Sequence, residues 1–315
     1  MIPYISFDDG DALCDWIDHC DAIYDGHKLP KGDIGDTFLY RGDDTLLSRS
    51  AYIDGMGVLV KSATINPGNP AKGKPMIHGA VTLFSDDTGE PEAMIDFHLV
   101  TKWKTAGDSV AAARILARPN SRKILIVGSG TVGRNLRVAY AHAFPNADFM
   151  VWNRSAASAK KFAADFERTI AVTDLQAAVK QADIVTSATM SSAPLLKGEW
   201  FHPGQHIDII GAYRPDMREV DDEALKRSRI FVDSRDTTLD HIGEFMIPLA
   251  AGAITRDEII ADFYDLESGT FRRENDDEIT LFKNGGGAHL DLMTSRYILK
   301  AWMAQQDDSD KKDPQ

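Results

Sequence analysis

A glycine-rich turn constrains this chain more than any other feature. Gly128-Ser-Gly130-Thr-Val-Gly133 follows the apolar run Ile-Leu-Ile-Val at 124–127 and opens a helical stretch over 132–143. An uninterrupted apolar run suits a strand buried on both faces of a parallel sheet. The tight turn between such a strand and a helix has few uses. Gly128 is expected to make the turn, Gly130 to let the backbone approach a diphosphate, and Gly133 to let helix and strand pack closely. Amide groups of Thr131 and Val132 would then face the anion, helped by the helix dipole. The pattern predicts a dinucleotide site of Rossmann type.

The surrounding texture agrees. Further strands are expected at 149–152, 170–172, 184–186, 206–210 and 230–232, with helices at 156–168, 174–181 and 221–227. Alternating strands and helices predict an α/β fold with a doubly wound parallel sheet. The pattern is expected to break near Asp276. Upstream, one helix is expected over 4–28, followed by short β runs at 37–40, 45–50, 57–65 and 80–85. A hairpin turn at Asp86-Asp-Thr-Gly89 leads into 93–96. These runs predict an antiparallel sheet, closed by a helix over 99–117. A last helix over 288–305 is expected to pack back on this part, and the charged tail 307–315 to be disordered. The chain thus reads as a dinucleotide-binding domain over 121–285 and a smaller α+β domain over 1–120 plus 286–315.

The net charge of −13 argues against nucleic acid or an anionic membrane as partner, because both need a positive field. No leader and no run of about 20 apolar residues is seen, so a cytoplasmic location is expected. Cys14 and Cys20 read as packing residues. No set of residues has metal-ligand spacing, and no metal is expected. His78, His241 and His289 read as core histidines rather than site residues.

The end of the second strand bears on the choice of cofactor. An acid there would bond a ribose 2′-hydroxyl. Here the sequence is Trp152-Asn153-Arg154-Ser155. Arg154 can fork onto a 2′-phosphate, with Asn153 and Ser155 as further donors, so NADP(H) is favoured over NAD(H). Ala188, Thr189 and Met190 end another strand, and Gly211 a further one. Their small size or position suits a neighbouring nicotinamide riboside.

Several stretches occur in an order that resembles the ornithine cyclodeaminase/mu-crystallin family. They are Val60-Lys61 followed by Asn66-Pro-Gly-Asn-Pro70, Leu99-Val-Thr101 through Lys104-Thr-Ala106 to Arg118-Pro119, the glycine turn, Gly211-Ala212-Tyr213-Arg214-Pro215 through Asp221, and Glu278 through Asn284-Gly-Gly. The resemblance implies a homodimer whose first domain supplies the substrate site and the dimer contact. It also implies NAD(P)H chemistry at C2 of a small amino or imino acid, as an imine reductase or amino-acid dehydrogenase. It makes Lys61 a candidate catalytic group whose pKa burial beside another cation would lower. Arg49 and Lys104 become candidates for holding the substrate carboxylate. Lys104 stands where the family usually has arginine, and Arg49 where it usually has methionine. Tyr213 stands where the cyclodeaminase has its catalytic aspartate, which argues against that reaction. The alternatives are a cyclodeaminase-type deaminase and a non-catalytic NADPH-binding protein.

Overall fold

The computed structural model describes residues 2–312, with side chains through Asp307. It divides into two compact units, Met1–Lys104 with Gly287–Gln315, and Thr105–Gly286. The first division falls inside a helix, upstream of 120/121, where the sequence texture changes.

In the first unit, β1 (Tyr4–Ile5) precedes α1 (Phe7–Asp11) and α2 (Trp16–Gly26). Two separate caps break the single helix expected over 4–28. Ser6 accepts from the Asp9 amide, and Asp15 accepts from the amides of Ile17 and Asp18. The strands β2 (Asp33–Arg41), β3 (Asp44–Ile53), β4 (Gly57–Ile65), β5 (Ile77–Phe84) and β6 (Pro91–Asp96) pair in sequence as antiparallel neighbours. The sheet is not wholly antiparallel, because β1 joins its edge parallel to β6. Alternation along β4 buries Leu59, Lys61 and Ala63 on one face. A lysine thus stands at a core position. α3 (Phe97–Leu116) follows β6 at once, with Asp96 Oδ1 accepting from the amides of His98 and Leu99.

The second unit begins within α3. Its strands are β7 (Lys123–Val127), β8 (Asp148–Trp152), β9 (Thr169–Ala171), β10 (Ile184–Ser187), β11 (His206–Ile209), β12 (Arg229–Val232), β13 (Ile259–Ala261) and β14 (Thr280–Lys283). The helices are α4 (Thr131–Ala143), α5 (Ala156–Ala164), α6 (Leu175–Val179), α7 (Asp222–Lys226), α8 (Arg235–Thr238) and α9 (Gly243–Ala250). All eight strands are parallel, in the order β13-β12-β14-β11-β10-β7-β8-β9. The winding reverses between β7 and β10, the switch point where ligands of such sheets bind. An apolar cluster forms the unit's core, with Leu125, Val127, Val185, Ile207, Ile209 and Leu281 fully buried.

Two expectations fail here. The α/β pattern does not break near Asp276, because β14 inserts between β11 and β12. α5 ends at Ala164, four residues early, and Arg168 at φ +52° turns the chain into β9. The chain then returns to the first unit as α10 (Ala288–Lys312), which packs on α2 and across β2–β5. α10 runs past Gln305 through Lys312, so the tail expected to be disordered is helical that far. Residues 313–315 of that tail lie outside the described residues. Among the described residues, no helix is long and apolar enough to cross a membrane.

Candidate active site

In the first unit, strand register places Asp36, Arg49, Lys61 and Val81 in one row across β2–β5. Directly opposed residues of antiparallel strands project to the same face. Arg49 and Lys61 therefore bring two cations together, which is unfavourable unless anions answer them. Asp36 takes both arms of the Arg49 guanidinium, at 2.9 and 2.6 Å. Lys61 Nζ donates to Asp291 Oδ1 at 2.8 Å and to Thr101 Oγ1 at 2.9 Å, and sits 4.7 Å from the Phe97 ring centroid. Asp291, on the first turn of α10, is fully buried, and its Oδ2 has no hydrogen-bond partner among the described residues.

Burial pushes the Lys61 ammonium below the ordinary lysine range. Asp291 opposes that shift, while Lys104 and Arg49 add to it. Burial alone would raise the Asp291 carboxyl, but Lys61, Lys104 and Arg49 outweigh it and hold it ionised. Lys104, on α3, is buried to 9% exposure, and among the described residues its amine has no hydrogen-bond or ion-pair partner. Three cations around two carboxylates leave one positive charge over. Arg49, Lys61 and Lys104, singled out in the sequence, thus lie near one another in the first unit. The sequence reading missed Asp291, whose signal was a lone acid among apolar neighbours in a helix. His78 is exposed on β5 and His241 is also exposed, so neither is a core histidine. His289 is buried, with its ring 5.5 Å from that of His27, and burial keeps it neutral.

In the second unit, Gly128 has φ +115°, and a Cβ there would lie 2.6 Å from the Ala188 carbonyl oxygen. A Cβ on Gly133 would lie 2.1 Å from the Gly128 carbonyl oxygen. Packing alone explains these two glycines. Gly130 differs: a Cβ there would meet nothing within 4 Å. No protein contact requires this glycine, which leaves an open approach to the N-terminus of α4, beside exposed Thr131 and half-buried Val132. That space and the free amides of the first helical turn fit a diphosphate.

The loop after β8 carries Arg154, which is exposed and forms no ion pair among the described residues. Asn153 Nδ2 donates to the Ser155 carbonyl at 3.4 Å. Ser155 Oγ caps α5, accepting from Ser158. After β10, Thr189 is half-buried and Met190 is 76% exposed. Gly211 has a packing reason of its own, since a Cβ there would lie 1.9 Å from the Thr189 carbonyl oxygen. Tyr213, past the end of β11, is 56% exposed, with the Arg214 guanidinium 5.6 Å from its ring centroid.

The sequence profile of the ornithine cyclodeaminase/mu-crystallin family matches residues 48–306. The chain belongs to that family. A Δ(1)-pyrroline-2-carboxylate reductase of Paracoccus denitrificans is 47% identical, over 94% of this chain and 96% of that protein. The Thermococcus litoralis Δ(1)-pyrroline-2-carboxylate reductase, solved with NADH and L-proline, superposes with a TM-score of 0.87. It is 26% identical, with 97% of this chain and 98% of that one covered. An archaeal alanine dehydrogenase dimer with bound NAD gives 0.86 at 26% identity, covering 97% of each chain. The Thermococcus and archaeal structures thus each hold a nicotinamide dinucleotide.

Proposed function

We propose that this chain reduces a small cyclic imino acid carrying one carboxylate, with Δ1-pyrroline-2-carboxylate as first candidate and NADPH as preferred reductant. The observation that carries this reading is Lys104, buried and without a hydrogen-bond or ion-pair partner among the described residues, beside the buried Lys61–Asp291 pair. Arg49 is committed to Asp36, so the cluster has room for one substrate carboxylate rather than two. Lys104 takes that carboxylate as a point charge. Lys61 delivers a proton to the imine nitrogen, and its lowered pKa suits it to do so. Asp291 orients the ammonium and holds its charge. A nicotinamide dinucleotide supplies the hydride that forms the new C2–H bond. Gly128, Gly130, Thr131, Val132 and Gly133 would hold its diphosphate. Arg154, with Asn153 and Ser155, would read a 2′-phosphate. Ala188, Thr189, Met190 and Gly211 would flank the nicotinamide half.

The names of the Paracoccus and Thermococcus relatives support this substrate class. A cyclodeaminase reaction is disfavoured, because Tyr213 offers no carboxylate. A binding protein without turnover has no use for a buried acid–base pair. The chain is further read as a homodimer through its first unit. The edge strand β2 is exposed along its whole length and shows Ile34, Phe38, Leu39 and Tyr40 to solvent. Light scattering that finds only monomer at micromolar concentration would remove the dimer.

The test of function is spectrophotometric. NADPH and NADH are offered separately, with cyclic imines and with 2-oxo acids plus ammonia or methylamine. Oxidation of NADPH with a cyclic imine supports the reading. Preference for NADH removes the role given to Arg154, and silence with every substrate removes the reductase.

A further inference from the structure

Glu219 takes no part in the account so far, yet it is fully buried at the carboxyl ends of two central strands. Its main chain is fixed on both sides. The amide donates to Glu244 Oε2 at 2.8 Å, and the carbonyl accepts from Leu195 and Leu196, both at 2.9 Å. Its carboxylate collects four donors. Oε1 accepts from Ser187 Oγ at 2.6 Å, the Thr189 amide at 2.8 Å and Thr189 Oγ1 at 2.7 Å. Oε2 accepts from the Gly211 amide at 2.6 Å. Lys283 lies buried nearby as countercharge, and of its acidic neighbours Glu219 acts on it most strongly. One carboxylate thus ties the end of β10 to the end of β11, at the point where Gly211 is pressed against Thr189.

We propose that Glu219 is the positioning residue for the nicotinamide half of the dinucleotide, acting through Thr189 and Gly211. This rests on the dinucleotide reading above. Fully buried and already holding four donors, the carboxylate is out of a ligand's reach, so its effect passes through the two strand ends. Those ends lie at the carboxyl edge of the parallel sheet, where such ligands bind. The diphosphate turn, at 128–133, makes no hydrogen bond to Glu219. Damage at Glu219 should therefore divide the ligand, weakening the nicotinamide half and sparing the rest.

Glu219→Gln keeps the shape but turns an acceptor into a donor that faces an N–H or O–H. The test compares NADPH with 2′-phospho-ADP-ribose, which lacks the nicotinamide ring, by calorimetry on the full chain. Leaving a buried donor unpaired should weaken NADPH about tenfold or more. Affinity for the ring-free ligand should stay within about twofold. Equal weakening of both ligands would make Glu219 a general support of the fold, and no weakening of either would remove it from cofactor binding. Both outcomes overturn the proposal while leaving the dinucleotide reading intact. Wild type that binds neither ligand overturns that reading, and the proposal with it. Should E219Q fail to fold, Ser187→Ala removes one of the four donors. The same division is then expected at about two- to fivefold, because three donors still hold the carboxylate, and its absence counts against Glu219 in the same way.

Discussion

Lys61→Met removes a charge and keeps most of the side chain's length, so its consequences can be worked from the contacts. The Asp291 carboxylate is fully buried and loses the ammonium 2.8 Å away. Removing one partner of a buried pair costs about 3–5 kcal/mol. Lys104 and Arg49 still act on Asp291, which places the expected loss at the lower end, about 3 kcal/mol. A loss that large could depress activity through instability alone. The companion variant K61M/D291N removes both charges and should recover about 2 kcal/mol of it. Turnover should not recover with it. Without its proton donor the reaction should slow about 10²- to 10⁴-fold in both variants. Urea melts measure stability, and steady-state oxidation of the reduced dinucleotide measures turnover. Dinucleotide affinity, read by fluorescence, should stay near wild type. The protonated ammonium is the active form and its pKa is lowered, so wild-type turnover should fall on the alkaline side, below the ordinary lysine value. Turnover that returns with stability in K61M/D291N would refute a catalytic Lys61 and leave it a structural cation.

Three further outcomes are expected. G130A should leave thermal stability within about 1 kcal/mol, because its Cβ meets nothing, yet weaken the dinucleotide; G133A, whose Cβ meets the Gly128 carbonyl at 2.1 Å, should lower stability itself. Lys104→Ala should raise the KM for the imino acid about 10- to 100-fold, the worth of a charge-assisted contact, with dinucleotide affinity unchanged. Burial raises the Glu244 carboxyl from 4.5 to about 7; its contribution is fully present below pH 4.5 and lost as pH rises toward 7. Between those limits the stability of wild type relative to E244Q should fall by up to about 1.4 kcal/mol per pH unit, measured by urea melts.

Six of the eight parallel strands of the second unit were legible as local apolar runs. β13, three residues long, was missed, and so was β14. Its four residues sit among charged loops, and its place between β11 and β12 depends on pairing with 206–209 and 229–232, about 50 to 75 residues away. The cations Arg49, Lys61 and Lys104 were readable from motif position, but their answering acids were not. Asp291 meets Lys61 across 230 residues of chain, and Asp36 meets Arg49 only through the β2–β3 register. Glu219 lay in full view within a family motif. Nothing local distinguishes an acid that ties two strand ends from one that faces water. Helix starts at Phe7 and Trp16 could have been read from Ser6 and Asp15, since both are favourable caps.

The central claim is hydride transfer to C2 of a cyclic imino acid, and isotope transfer tests it most directly. Reduced dinucleotide deuterated at each C4 position in turn is incubated with the enzyme and Δ1-pyrroline-2-carboxylate, and the product is analysed by mass spectrometry and NMR. Proline carrying one deuterium at C2 is expected from one of the two labelled forms, with matching oxidation of the dinucleotide. Proline without deuterium from either form, or no proline while the dinucleotide binds tightly, would contradict it.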